Sequence, residues 1–508
     1  LLAAAGPQIA AADDTPKADA AKPAAAVFKA GFAERDITPA VGAEQPGGYG
    51  KSFNRLIHDP CKARAAVFDD GTHAVALVGI DALFIRHPSV AAARKQIHER
   101  CGIPEANIMI GASHSHSAGP MGMTLPGEYD HADEFVRKLA YEMSSMADAE
   151  YLRKVETAIA DAVCDAHEHR TAARCAAGFG LAEGIAFNRR FRMKSGLSVT
   201  HPRAGNPEIV EPAGPVDPQV GVLSAWDSDG KFLGCVVNFA CHATTGPGGV
   251  SADYIGYAEK TIRGLMGEHA GFVFLNGMSG DITQVNNASP YKLKEFGEIS
   301  ARFIGGSVGA EALKVLLAGE QSAGAEMPVA AVSKTLKIKR RVPSAARSAR
   351  SRELAEKDPK TVDGTEWTFA KEILLLNARL QKEPVADVEL QAVQVGPAVF
   401  CSCPAEYFCQ YGLDIKAGSP FKFTFPVSLA NDCVGYVPTE EALGRRGGGY
   451  ETRLTGYSNL EPTAGRQMAD ALIELARSLK PGPTPQPPAL PPFADKAWTY
   501  GDVPPELD

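Results

Sequence analysis

Apolar residues recur along this chain in two rhythms that alternate with one another. Short runs, continuously apolar or alternating with a period of two, lie at 65–68, 74–80, 108–110, 173–181, 220–226, 232–240, 272–275, 388–403 and 423–430, which is the pattern of strands. Longer windows with apolar residues three and four apart lie at 88–100, 130–170, 254–269, 292–317 and 462–479, the pattern of helices. Turn chemistry separates these runs. Asp69-Asp70-Gly71 and Asp227-Ser228-Asp229-Gly230 each join two strands as a hairpin, and Gly102-Ile103-Pro104 stops the first helix. The succession predicts an α/β fold: a mixed β-sheet core covered by helices, with an active site at strand ends. No internal repeat is visible in the sequence.

Composition changes this picture little. A chain of 508 residues with 45% hydrophobic and 22% charged residues can bury a large core. A formal net charge of −8 gives no support for nucleic-acid binding, which normally shows as a basic surface, and no nucleic-acid partner is expected. No apolar run reaches 18 residues, so no transmembrane span is expected, while peripheral contact with a membrane stays open. The start, LLAAAGPQIAAADD, reads as the back half of a signal peptide, with Ala10 and Ala12 at cleavage spacing before Asp13. Residues 1–26 are thus expected to be a signal remnant and disordered linker, 27–480 a catalytic domain with a smaller subdomain around 328–400, and 481–508 a Pro-rich tail. Export to the periplasm or the medium follows. Ten cysteines without a CxxC pair suit a few disulfides rather than a structural zinc site, and spacing alone does not give the pairing.

The candidate chemistry sits at strand ends. The stretch NIMIGASHSHSAGP (107–120) presents His114 and His116, which share a face if the backbone stays extended. His242 follows a second strand, and Glu406 and Tyr436 lie past later ones. Two imidazoles and a carboxylate suit a zinc ion that keeps one position open for water, although no compact motif such as HExxH is present. Packing or surface histidines are the plainer alternative.

HSHSAGP (114–120), FACHATT (239–245), GDITQVN (280–286), PAE (404–406), GYVPT (435–439) and GGYE (448–451) occur in the order of the signatures of the neutral, non-lysosomal ceramidase family, and GFAERDITPAVG with GGYG resembles its opening segment. The resemblance implies zinc ligands at His114, His242, Glu406 and Tyr436. It implies a proton-handling role for His116, an arginine near the scissile amide at Arg189 (with Arg190 next in register), and an oxyanion-stabilising phenol at Tyr450. The position of a proposed serine nucleophile holds Thr283, and this hindered hydroxyl favours attack by metal-activated water. The stretch after Tyr450 is shorter than the ~100 residues of the immunoglobulin-like domain that ends longer members, so that domain is expected to be absent. The implied activity is hydrolysis of an N-acyl amide of ceramide type. The alternatives are a non-lipid amide or ester substrate, and an inactive binding protein that keeps the fold.

Overall fold

A computed structural model describes residues 27–291, 293–489 and 504–508. The expected signal remnant and linker at 1–26, and the tail over 490–503, lie outside the described residues. Residues 480–482 run beside the turn at Gly396: Gln394 donates to the Lys480 carbonyl and Gly482 N–H to the Gly396 carbonyl.

One arrangement occurs three times. In the first unit, strands Lys29–Asp36, Lys62–Asp69 and Ala74–Ile80 pair antiparallel in succession. Helix His87–Cys101 then crosses to strand Ile108–Ala112, which pairs parallel with Ala74–Ile80, and helix Ala149–Glu168 packs back on the sheet. The second unit repeats this with strands Thr171–Leu181, Gln219–Asp227 and Phe232–Phe239, helix Tyr254–Met266, strand Gly271–Asn276 and helix Glu298–Glu320. The third uses Val329–Lys339, Val385–Val395, Ala398–Ser402, helix Cys409–Gly418, strand Phe423–Val427 and helix Ala464–Ser478.

The first two sheets join into one eight-stranded sheet through a two-residue pairing, Lys29 with Ala172 and Ala30 with Thr171. All three turn a face inward to a shared core that includes Leu77 and Met109, Leu223 and Leu275, and Phe400 and Phe425. Helices cover the three outer faces, each over its own apolar cluster. The mixed-sheet α/β expectation therefore holds. The repeat, which the sequence does not display, is one of strand and helix order, and connections of different length (37–61, 182–218 and 340–384) part the first two strands of each unit. These connections leave from the end where the third and fourth strands finish.

Two local expectations change. The helical pattern over 130–170 divides into Glu134–Tyr141 and Ala149–Glu168, because Ser144 Oγ donates back to the Leu139 carbonyl and Asp148 caps the second helix at Tyr151 N–H. The run 388–403 is a hairpin, turned at Gly396 with φ 57°. None of the described helices is long and apolar enough to cross a membrane. All ten cysteines are free thiols.

Candidate metal centre

The three units each deliver a polar side chain to their common end. His114 comes two residues after the fourth strand of the first unit, His242 just past the third strand of the second, and Glu406 just past the third strand of the third. Backbone hydrogen bonds lock these ends together. Ala112 N–H donates to the Leu429 carbonyl, Ser428 N–H to Asn276, and His116 N–H to Ala243. The HxH segment is not an extended strand: His114 has φ 65°, and a left-handed residue, not the strand period, brings both rings to the site. Such a conformation in a non-glycine residue costs on the order of 1–3 kcal/mol and persists only where the surroundings enforce it.

The rings of His114, His116 and His242 offer nitrogens within 4.8 Å of one another, a group able to hold a metal ion. His114 Nδ1 faces the Leu83 carbonyl and His242 Nδ1 the Ser279 carbonyl, each at 2.8 Å. An Nδ1 so placed carries the proton, which leaves both Nε2 atoms as lone-pair donors aimed inward. Glu406 Oε2 lies 3.2 Å from the first Nε2 and 3.0 Å from the second, and has no hydrogen-bond partner of its own. His114, His242 and Glu406 are each at most 3% exposed. A buried carboxylate oxygen facing two lone pairs is a repulsive grouping unless a cation sits among them. The residues present therefore fit a metal.

Tyr436 stands beside Glu406 in a parallel bridge, and its hydroxyl lies 3.1 Å from that of Tyr450. Arg189 reaches into the same space. It donates to His242 Nε2 and to the Tyr436 hydroxyl at 3.1 Å each, and to the Gly280 carbonyl at 2.8 Å. Arg190 turns away to the Gly448 carbonyl, so that of the pair it is Arg189 that faces the cluster.

Burial, helped by the neighbouring Arg189 and His114, pushes His242 down to about 3, and burial with the two other imidazoles holds His116 well below its usual range. Both rings are neutral at pH 7. Burial drives the Tyr436 and Tyr450 phenols upward, so both remain protonated. Thr283 is buried on the neighbouring loop, where its hydroxyl donates to Gln284 Oε1 at 3.1 Å.

Glu451 was not singled out from the sequence. Its carboxylate, fully enclosed, accepts from Arg189 Nε at 2.8 Å and from Thr200 Oγ1 at 2.6 Å. The signal available was its place next to Tyr450 in GGYE. Gly47, in the GGYG stretch whose glycines allow a close backbone approach, packs with φ 131° so tightly on His116 that a Cβ there would lie 2.7 Å from Nδ1.

No family model matches the chain. A neutral ceramidase of Pseudomonas aeruginosa is 28% identical over 194 residues, which cover 37% of this chain and 25% of that protein, so the matched stretch spans about a quarter of the curated relative. The crystal structure of a neutral ceramidase from the same organism superposes with a TM-score of 0.64 at 18% identity, over 91% of this chain and 76% of the other. A ceramidase complexed with C2 superposes equally well, with a TM-score of 0.64 at 19% identity over 92% and 77% of the two chains.

Proposed function

Taking as premise that the chain is related to the neutral ceramidases, we propose that it is an exported zinc-dependent amidohydrolase that cleaves an N-acyl amide of ceramide type. The observation that carries this reading is the convergence of the His114 and His242 Nε2 atoms on a Glu406 oxygen that has no other partner. His114, His242 and Glu406 hold the ion, with Tyr436 beside Glu406 as the fourth ligand. A bound zinc would lower the pKa of a water towards neutrality and polarise the amide carbonyl.

The chain's own residues supply the rest. His116, neutral because it is buried among imidazoles, is free to take the proton of the attacking water and hand it to the leaving amine. Arg189 is fixed by Glu451 and directs its remaining N–H groups into the site, where negative charge develops on the carbonyl oxygen. Tyr450 keeps its proton and adds a second donor. The Thr283 hydroxyl, already engaged with Gln284, stays a bystander to water attack.

Exposed apolar residues support a lipid substrate. Phe53, Leu56 and Ile57 stand on the connection whose Gln45 donates to the His116 carbonyl. Phe296, Ile299 and Phe303 stand beside Glu295, whose carbonyl accepts from Gln284, and Gly297, whose N–H donates to the Thr245 carbonyl. A bridge between Ile57 and Val250 ties the first group to the segment that follows His242. Exposed apolar side chains on segments tied to the histidine loops suit an acyl chain presented from a membrane surface.

The test is a panel of N-acyl amides and esters, ceramide included, assayed with and without a zinc chelator, together with the metal content of His114→Ala. The expected result is ceramide-type cleavage that the chelator abolishes, with no zinc in the variant. Zinc retained by the variant overturns the ligand set. A preference for short polar amides or esters overturns the lipid substrate, and inertness towards the whole panel overturns catalysis.

A further inference from the structure

We infer that Cys101 and Cys164 are a disulfide-forming pair that ties together the two helices flanking the histidine loop. Among the described residues they are the one pair of cysteines in sulfur–sulfur contact, with Sγ atoms 3.1 Å apart. The other eight are all buried.

Cys101 is the last residue of helix His87–Cys101, which Gly102 ends in a left-handed conformation. Cys164 lies in helix Ala149–Glu168, packed alongside. The registry of the two helices is set next to the sulfurs by a second contact: Arg100 Nη1 lies 2.8 Å from Asp161 Oδ1, one residue before Cys101 and one helical turn before Cys164. Both cysteines are half-buried, so an incoming disulfide can reach them. The fully buried thiols at Cys61 and Cys175 offer no such access.

The chemistry is thiol–disulfide exchange with a protein or small-molecule disulfide. One cysteine thiolate attacks a donor sulfur, the donor S–S bond breaks, and a mixed disulfide forms. The second thiolate attacks the attached protein sulfur, which closes the Cys101–Cys164 bond and releases the reduced donor. Two thiols are oxidised, one donor disulfide is reduced, and the two protons pass to the donor thiolates. The closed loop contains strand Ile108–Ala112, His114, His116 and the segment up to helix Ala149–Glu168. A bond across such a long loop restricts the unfolded chain strongly.

The full chain is reduced, then oxidised in its native state with oxidised glutathione, denatured, alkylated and mapped by mass spectrometry. The expected result is one cross-linked peptide pair carrying Cys101 and Cys164, with eight alkylated cysteines. The oxidised protein should then unfold several degrees above the reduced one, and the double variant Cys101→Ser/Cys164→Ser should show no difference between the two conditions. Alkylation of both cysteines after oxidation, or a cross-link between either one and a third cysteine, overturns the pairing. Equal unfolding temperatures of linked and reduced protein overturn the clamp.

Discussion

Replacing Glu451 with Gln asks whether the Arg189 guanidinium is held in place or only passes near. The two side chains are 0% and 4% exposed and meet at 2.8 Å, so solvent screens the pair very little. Removing one partner of such a pair costs about 3–5 kcal/mol, because the other charge stays buried without compensation. Gln keeps the volume and one acceptor, which places E451Q near the lower end, at about 3 kcal/mol. A guanidinium displaced by about 1 Å can cost on the order of 10²-fold in rate. The loss should fall on kcat rather than KM, since the arginine is proposed to meet charge that develops only during reaction. The assay is a double-mutant cycle of E451Q and Arg189→Met, read by urea unfolding and by kcat on the best amide of the substrate panel. The two substitutions should couple by roughly 0.5–3 kcal/mol, so that E451Q becomes nearly harmless once Arg189 is gone. If E451Q costs the same with and without Arg189, the carboxylate does not act through the arginine and the reasoning fails.

Gly47→Ala should cost more than about 1 kcal/mol and displace His116, because φ 131° and a 2.7 Å contact with Nδ1 both oppose a Cβ. Gly48→Ala, which has open space, is the control, and equal loss of activity in both variants would show that the contact is irrelevant. Thr283→Ala should leave kcat close to wild type, and a loss of about 10²-fold or more, the scale of a directly acting group, would reinstate the hydroxyl as a participant. Acid should unfold the protein between pH 4.5 and 2. Burial raises the Glu128 and Glu259 carboxyls, but Arg86 with Arg379, and Arg64 with Lys62, reverse this and hold each at about 2, below the unfolded value of 4.5. Their stabilisation is therefore complete above pH 4.5 and is lost as pH falls through 2, on the order of 3 kcal/mol each. Glu128→Gln should flatten the acid limb of a denaturation profile, and an unchanged limb would refute the assignment.

The strands and helices were legible because their apolar periods are clean, and the hairpins at 69–71 and 227–230 because the turn residues name themselves. Where one residue decided the outcome, the period misled. A single glycine at 396 makes two strands of one apolar run, since Val395 and Ala398 are as apolar as the strands they end. His114 reaches the site through a left-handed backbone that alternation does not anticipate. His114, His242 and Glu406 were placed by ordered motifs, while Glu451 escaped because its partner Arg189 lies more than 250 residues away and buried ion pairs leave no local signature. Arg189 and Arg190 are identical in sequence terms. Only the packing of the segment against Asp281 and Gly448 separates the side chain that faces the histidines from the one that faces the Gly448 carbonyl.

The threefold repetition explains why the site lies where it does. In each unit the third strand crosses through a helix to a parallel fourth strand, so the chain emerges twice at the same sheet end. Three such units facing one core bring six strand ends together, and the cluster draws on one end from each: the fourth strand of the first unit, and the third strands of the other two. No pair of units contains the full set. The unequal connections that obscure the repeat in the sequence also leave from this end, bringing Gly47 from the first unit and Arg189 from the second, while the third unit's connection anchors the Tyr49 carbonyl through Lys371. The unequal lengths of these segments thus hide the symmetry in the sequence and wall the site, while the strands beneath bring His114, His242 and Glu406 together.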